Sequence, residues 1–435
     1  MAEIVSDDLW EQTNGNQHER RTRLPLDLEE ATMKKVLIAV VLAFASALGA
    51  ESIAGLWSAT VTVNGVEIPF KIEFSGDGAA VQGWFFNGEE RETSTGGNFA
   101  NGSLVLGFDS YASTLKATVR DGVLDGEYVT RGKPLPFHAV RGAAAPQATG
   151  KVPDISGLWY LEGVVSNKRD EKAWQFVVRQ RGAAVSGAIL RVDGDTGTLT
   201  GGFQNGRFVL SHFSGARPSL VLVTPQADGT LSVEIKGQHG GSPMTAVRPG
   251  EARARGLDVP PDYDTHAGVK DESKPFAFSF PDLDGKLVSN TDARFRGKVV
   301  LVNITGSWCP NCHDEDKFLP VLWEKYHARG LEIVALDFEE PEQLANPVRL
   351  RALMAREGIR YPVLLGGETA SAKEKLSQAV WDSWPTTYFV GRDGLVRKTH
   401  SGFPSAASGD LYEKEKQEFA SEIERLLAEG PVSSR

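Results

Sequence analysis

The sequence contains two cysteines, and they stand three positions apart in Trp308-Cys309-Pro310-Asn311-Cys312. Two intervening residues keep the sulfurs close enough to bond without moving the backbone. The segment falls where an apolar run, Lys298 to Thr305, gives way to a helical pattern. Such a place favours a thiolate, because unpaired backbone N–H groups and the positive end of the helix dipole meet there. Cys309, at the helix edge, is therefore expected to be the exposed nucleophile. Cys312, one turn inward, is expected to attack the mixed disulfide and release the partner. Half of a zinc site is the competing reading. It would need two further ligands, yet there is no second cysteine pair and the eight histidines, His313 included, show no ligand spacing. No metal is expected, and no cofactor either, since the Gly-rich turns match no phosphate-cradling motif.

Two more positions bear on the same chemistry. Glu315 lies three residues beyond Cys312, on the same helix face about one turn along. A half-buried carboxyl there would have a raised pKa and could exchange the resolving cysteine's proton. It could equally be an acidic residue favoured by the helix N-terminus, as Asp314 and Asp316 are. Pro385, in Trp384-Pro385-Thr386-Thr387, opens a strand pattern, where proline is tolerated only at an end or edge.

Positioning these groups takes a domain of its own. From Pro275 strands alternate with helical stretches, which argues a mainly parallel sheet. Strands are expected at Lys298–Thr305, Leu331–Phe338 and Tyr361–Leu365, helices at Pro347–Glu357 and Ala372–Val380. A hairpin around Asp393-Gly394 and a terminal amphipathic helix, Asp410–Glu429, complete the pattern.

The remaining chain is too long to share that core: 435 residues exceed the size at which single cores stop growing, about 250 to 300. Two stretches resemble one another. Ile53-Ala54-Gly55-Leu56-Trp57 matches Ile155-Ser156-Gly157-Leu158-Trp159, Phe99-Ala100-Asn101-Gly102 matches Phe203-Gln204-Asn205-Gly206, and Ala139-Val140-Arg141 matches Ala246-Val247-Arg248. Short alternating segments separated by Gly, Asn and Asp turns make each copy all-β. We read tandem antiparallel barrels or sandwiches at 51–142 and 153–248, with interiors either packed or ligand-binding. Residues 143–153 and 249–274 read as linkers, the second extended and mobile. The α/β domain takes 275–435.

Met33-Lys34-Lys35, the apolar run Val36 to Leu48 and Gly49-Ala50 read as a secretory signal, with residues 1–32 expected to lie upstream of the true start. Export to a periplasm places the dithiol where disulfides persist. The membrane is then met only through that segment, if it is uncleaved. A net charge of −10 without a basic stripe excludes nucleic acid as a partner.

The segment from about Pro275 to Leu427 resembles the thioredoxin superfamily, and more closely its exported TlpA/ResA-type thiol-disulfide oxidoreductases. The run Lys298-Val299-Val300-Leu301-Val302-Asn303 leading to Trp308-Cys309, with a strand-helix insertion after Phe338, carries the likeness. The resemblance implies a thioredoxin fold, protein disulfides as substrates and a membrane electron donor. It favours a catalytic Glu315, since the exported type has a Glu there and cytoplasmic thioredoxins have a buried Asp where this chain has Asn303. It also implies a cis Pro385 facing the dithiol, with Trp308, Trp384 and Thr386 as substrate contacts. Trp384 is bulkier than the residue usual before that proline. Two other classes compete: a peroxiredoxin-like peroxidase, for which Thr305 stands four residues before Cys309 instead of three, and an envelope binding protein whose β repeats recruit the partner.

Overall fold

In the computed structural model, residues 52–142, 151–237 and 241–430 are described. The expected signal segment and residues 143–150 lie outside the described residues. From Ser52 onward the chain clusters as one unit.

The alternating pattern of the N-terminal half makes strands with one buried face. In Gly55–Val63, Trp57, Ala59, Val61 and Val63 are buried. Asn64 and Gly65, with φ of 51° and 77°, turn the chain into Val66–Ser75. Positive φ at both positions gives a two-residue turn whose twist matches the strands. Nine strands between Gly55 and Arg141 form one antiparallel sheet, the first strand pairing with both the second and the last. Nine more between Gly157 and Val247 share the run from the second strand through the first to the last and back to the fifth, but the fifth, Leu199–Gln204, then also pairs with the third, Ala184–Arg191. There, pairing of Trp174–Arg181 with Ala184–Arg191 closes eight strands into a barrel.

The second interior is filled by its own side chains, the first by its own together with one from the second repeat. Phe213, reaching out of the second sheet, completes the first core, its ring centroid 4.7 Å from Phe70 and 5.2 Å from Phe85. A matching latch ties the two ends of each sheet. Trp57 Nε1 donates to Ile53 O and Trp159 Nε1 to Ile155 O, each at 2.8 Å. The guanidinium of Arg141 lies 4.6 Å over the Trp57 ring and that of Arg248 lies 3.6 Å over Trp159, cation–π geometry in both.

Residues 249–274 are not the extended, mobile linker their composition suggests. Pro249, whose fixed φ suits the first helical position, starts a helix at Pro249–Arg255 that Gly256 caps. Asp264 then accepts from Lys398 at 2.7 Å and pairs with His400 at 2.9 Å, and Gly268–Val269 pairs with Ala379–Val380. Three anchors thus hold this stretch to the C-terminal domain.

That domain is built on β1 (Val299–Thr305), α1 (Pro310–Tyr326), β2 (Leu331–Glu339), α2 (Val348–Glu357), β3 (Val363–Glu368), β4 (Thr386–Val390), β5 (Val396–Ser401) and α3 (Asp410–Ala428). The sheet order is β3-β2-β1-β4-β5. Every residue of β1, β2 and β4 is buried, as strands covered on both faces must be. The sheet is mixed, not mainly parallel: β1-β2 and β2-β3 run parallel, β1-β4 and β4-β5 antiparallel. The Asp393-Gly394 turn is too short for the crossover a parallel pair needs. The expected helix at Ala372–Val380 shrinks to Ala372–Lys375, because Ala379–Val380 is drawn into pairing with Gly268–Val269. Among the described residues no helix is long and apolar enough to cross a membrane.

Candidate active site

β1 ends at Thr305 and α1 begins at Pro310, so the connecting loop delivers Cys309 to the helix N-cap. Pro310 takes the first helical position, where its missing N–H costs nothing. Cys309 and Cys312 are joined as a disulfide with their Cα atoms 5.2 Å apart. The Cys312 backbone N–H donates to Cys309 Sγ at 3.2 Å. Cys312 is fully buried, and Cys309 is not the exposed residue its place at the helix edge suggests, since surrounding side chains leave it only 4% of its surface. The loop itself is held from beneath. Ser307 N–H donates to Glu339 at 3.0 Å, and Arg349 donates to Ser307 Oγ at 2.7 Å and to Glu339 at 2.6 Å.

Arg349 and Glu339 are both buried, and removing one partner of such a pair leaves an uncompensated charge. Arg349→Met is therefore expected to destabilise the domain by about 3 to 5 kcal/mol. The check is the urea midpoint of its unfolding transition; an unchanged midpoint would show that this pair does not hold the loop.

Glu315, three residues beyond Cys312 in α1, is 1% exposed. Burial pushes its carboxyl up to about 7, against the opposing pull of a hydrogen bond from Thr387, the charge of His400 and a hydrogen bond from Asn303. Thr387 Oγ donates to Oε1 at 2.6 Å, and Asn303 Nδ2 donates to Oε2. Asn303 and Thr387 face one another across β1 and β4. A carboxyl poised near neutrality and held by two donors can take up and return a proton.

The Trp384-Pro385 bond is cis, and Pro385 O accepts from Gly402 N at 2.8 Å. The rings of Trp308 and Trp384 stand edge-on at 5.5 Å, both half-buried, and Trp308 Nε1 is tied to Phe338 O at 2.9 Å. Thr386 departs from its expected role as a substrate contact. Its side chain is fully buried and donates to Ser383 O at 2.9 Å. Thr387, one position on and therefore on the opposite face of the strand, is the residue that reaches the site.

His313 is committed elsewhere: Nε2 meets Ser307 O at 2.7 Å and the ring stacks on Tyr111 at 4.8 Å. No group of three or more His, Cys, Asp or Glu able to hold a metal occurs among the described residues. Asp314 and Asp316 are both buried, not the exposed acids of an ordinary helix start. Sequence reasoning missed Ser307, Glu339 and Arg349, which carry no motif. It had marked Asn303 only as an Asn standing where related chains have Asp, and that oddity was the available signal.

Residues 272–399 match the AhpC/TSA family. The chain is 30% identical over 121 residues to the thiol-disulfide oxidoreductase ResA of Bacillus thuringiensis subsp. konkukian, covering 27% of this chain and 62% of that protein. It is 29% identical over 135 residues to the thioredoxin-like protein YneN of Bacillus subtilis, covering 31% and 74%. The chain thus spans somewhat less than two thirds of the first of these relatives. A putative thiol:disulfide interchange protein DsbE from Chlorobium tepidum aligns over 36% of this chain and 99% of its own at 22% identity and a TM-score of 0.29. With the helix-capping cysteine pair, the cis-proline and the β1-α1-β2, β4-β5-α3 arrangement already seen, these sequence likenesses support a thioredoxin-like C-terminal domain similar to the TlpA/ResA type.

Proposed function

We propose that the chain is an exported thiol-disulfide oxidoreductase that reduces protein disulfides, Cys309 attacking and Cys312 resolving. The observation that carries this is the asymmetry of the pair: Cys309 caps the helix with an N–H on its sulfur, while Cys312 is fully enclosed. In the reduced form the Cys309 thiolate attacks a substrate sulfur, and the first substrate thiol leaves. Cys312 gives its proton to Glu315 and attacks Cys309 Sγ, expelling the second substrate thiol. The substrate gains two electrons, and the Cys309–Cys312 disulfide that remains takes two from a membrane donor. Export, that donor and the reducing direction rest on the sequence of 33–50, the scarcity of cysteine and the likeness to ResA.

Pro385, Trp308 and Trp384 frame the sulfur and are the surfaces a substrate would meet. The N-terminal half we read as a tandem duplication with units at 51–142 and 153–248. The strand order shared from the second strand round to the fifth and the repeated Trp–Arg latch support that reading.

Equilibration of the dithiol with glutathione buffers, together with alkylation of the protein in its exporting cell, tests the direction. A potential below the compartment's poise and a dithiol found reduced fit a reductase. A disulfide found oxidised at steady state, with a potential above the poise, would make the protein an oxidant instead.

A further inference from the structure

Three loops of the β sheets converge on the rim of the dithiol. From the first sheet, Arg131, at the tip of the Thr130–Lys133 turn, donates to Trp308 O at 2.6 Å. From the second, Lys168 donates to Asp382 O and Arg169 N–H to Asp382 Oδ2 at 2.8 Å, two residues before Trp384. The third is the hairpin Arg191–Gly197, which lies closest. Asn311, the residue between the cysteines, donates from Nδ2 to Asp193 O at 2.6 Å, and its Oδ1 accepts from Arg217 at 2.7 Å. Asp195, fully buried, accepts from Ser405 N at 2.8 Å, Ser405 Oγ at 2.9 Å and Ser408 Oγ at 2.6 Å.

Backbone meets backbone at the centre of this contact. A Cβ on Gly194 would come within 2.4 Å of Phe403 O and 2.7 Å of Asn311 Cγ, and one on Gly402 within 2.2 Å of Val192 O. Two glycines, one on each side, thus permit an approach that no other residue would. Beside a small apolar cluster of Ala188, Leu190 and Ala407, polar pairs cross the joint: Arg217 spans Asp314 at 2.9 Å and Asn311, and Lys317 reaches Glu90 at 3.1 Å. Every one of these polar groups can be solvated if the surfaces part, which suits a contact that opens and closes better than a sealed apolar core. The remaining mouth lies beside the half-buried Trp308, Pro310 and Trp384, and Cys309 shows 4% of its surface through it.

We propose that the hairpin Arg191–Gly197 is an intramolecular plug on the dithiol: seated, it admits small thiols to Cys309, and it must lift before a folded protein can exchange with the site. The oxidised site is therefore gated by the chain's own second barrel.

The test follows reduction of the Cys309–Cys312 disulfide in the full chain by dithiothreitol and by reduced thioredoxin, each reductant losing two electrons as both cysteines become thiols. Gly194→Ala places a methyl where the docked hairpin has no room and removes no polar contact. Asp195→Asn turns an amide toward three donors. Both are expected to raise the rate with thioredoxin at least tenfold while the dithiothreitol rate stays within twofold. An unchanged thioredoxin rate, or an equal rise with both reductants, overturns the plug. A measurement on the unmodified chain needs no variant to fold. Once Cys309 is reduced, it should react with iodoacetamide at least ten times faster than with a 5-kDa maleimide polymer, each rate normalised to the urea-unfolded chain. Equal normalised rates overturn the proposal as well.

Discussion

Cys312→Ser is expected to accumulate a covalent complex with its protein substrate, visible as a higher-mass band that dithiothreitol dissolves, while Cys309→Ser gives no such band and no turnover. The reasoning starts from burial. Cys312 has no exposed surface from which to attack a macromolecule, whereas Cys309 sits at the helix cap with a backbone N–H directed at its sulfur. Removing the resolving sulfur leaves the first attack possible and blocks the second. Removing the attacking sulfur stops both, and loss of a nucleophile costs at least about a thousandfold in turnover. The opposite pattern, a complex from Cys309→Ser alone, would reverse the assignment of roles and sink the proposed sequence of steps.

Glu315→Gln carries the second large effect, and it has two readouts. Gln preserves shape and can accept from Asn303 while Thr387 turns its hydroxyl to accept from the new amide. What it cannot do is titrate. If Glu315 takes the Cys312 proton it must be ionised, so the wild-type resolving rate should rise with pH through about 7. The variant should lose that inflection and fall by about a hundredfold.

Stability gives an independent reading of the same group in the oxidised chain. The folded carboxyl titrates near 7 and the unfolded one near about 4.3. Its contribution is therefore fully present below about pH 4 and is lost as pH rises through 7, amounting to about 4 kcal/mol. Urea midpoints of the wild type should fall across that window relative to those of Glu315→Gln. His400 and Glu415 also act on Glu315 electrostatically, and Glu315 in turn helps to raise His400, so the difference between the two curves reports Glu315 together with its coupling to His400. Parallel midpoint curves would mean that folding does not raise the Glu315 carboxyl.

Legibility in the sequence followed how local the determinant was. The dithiol was legible from its spacing within one turn of helix, whereas Glu315 and the cis Pro385 became legible only through the family resemblance. Like the dithiol, the largely apolar β1 and β2 were readable from their own local pattern. Where one residue of register decides the outcome, the sequence is mute: Thr387 holds the Glu315 carboxyl while the neighbouring Thr386 is turned to Ser383, since alternate residues serve opposite faces. Ala379–Val380 was read as helix because its strand partner lies over a hundred residues earlier. The stretch 249–274 looked mobile by composition, and only its partners in β5 fix Asp264. The loops that crowd the dithiol gave no signal at all. Arg131, Asp193, Asp195 and Arg217 are ordinary turn and surface residues until the surface they meet is known.

The Trp–Arg latch has a consequence for ancestry and engineering. Because Arg141 donates to Ala54 O and Arg248 to Ser156 O, both at 2.8 Å, the chain enters and leaves each sheet at one point. A cassette with adjoining ends can be copied, excised or grafted with little rerouting of what flanks it. The same architecture offers a splice site for a foreign module above a redox centre.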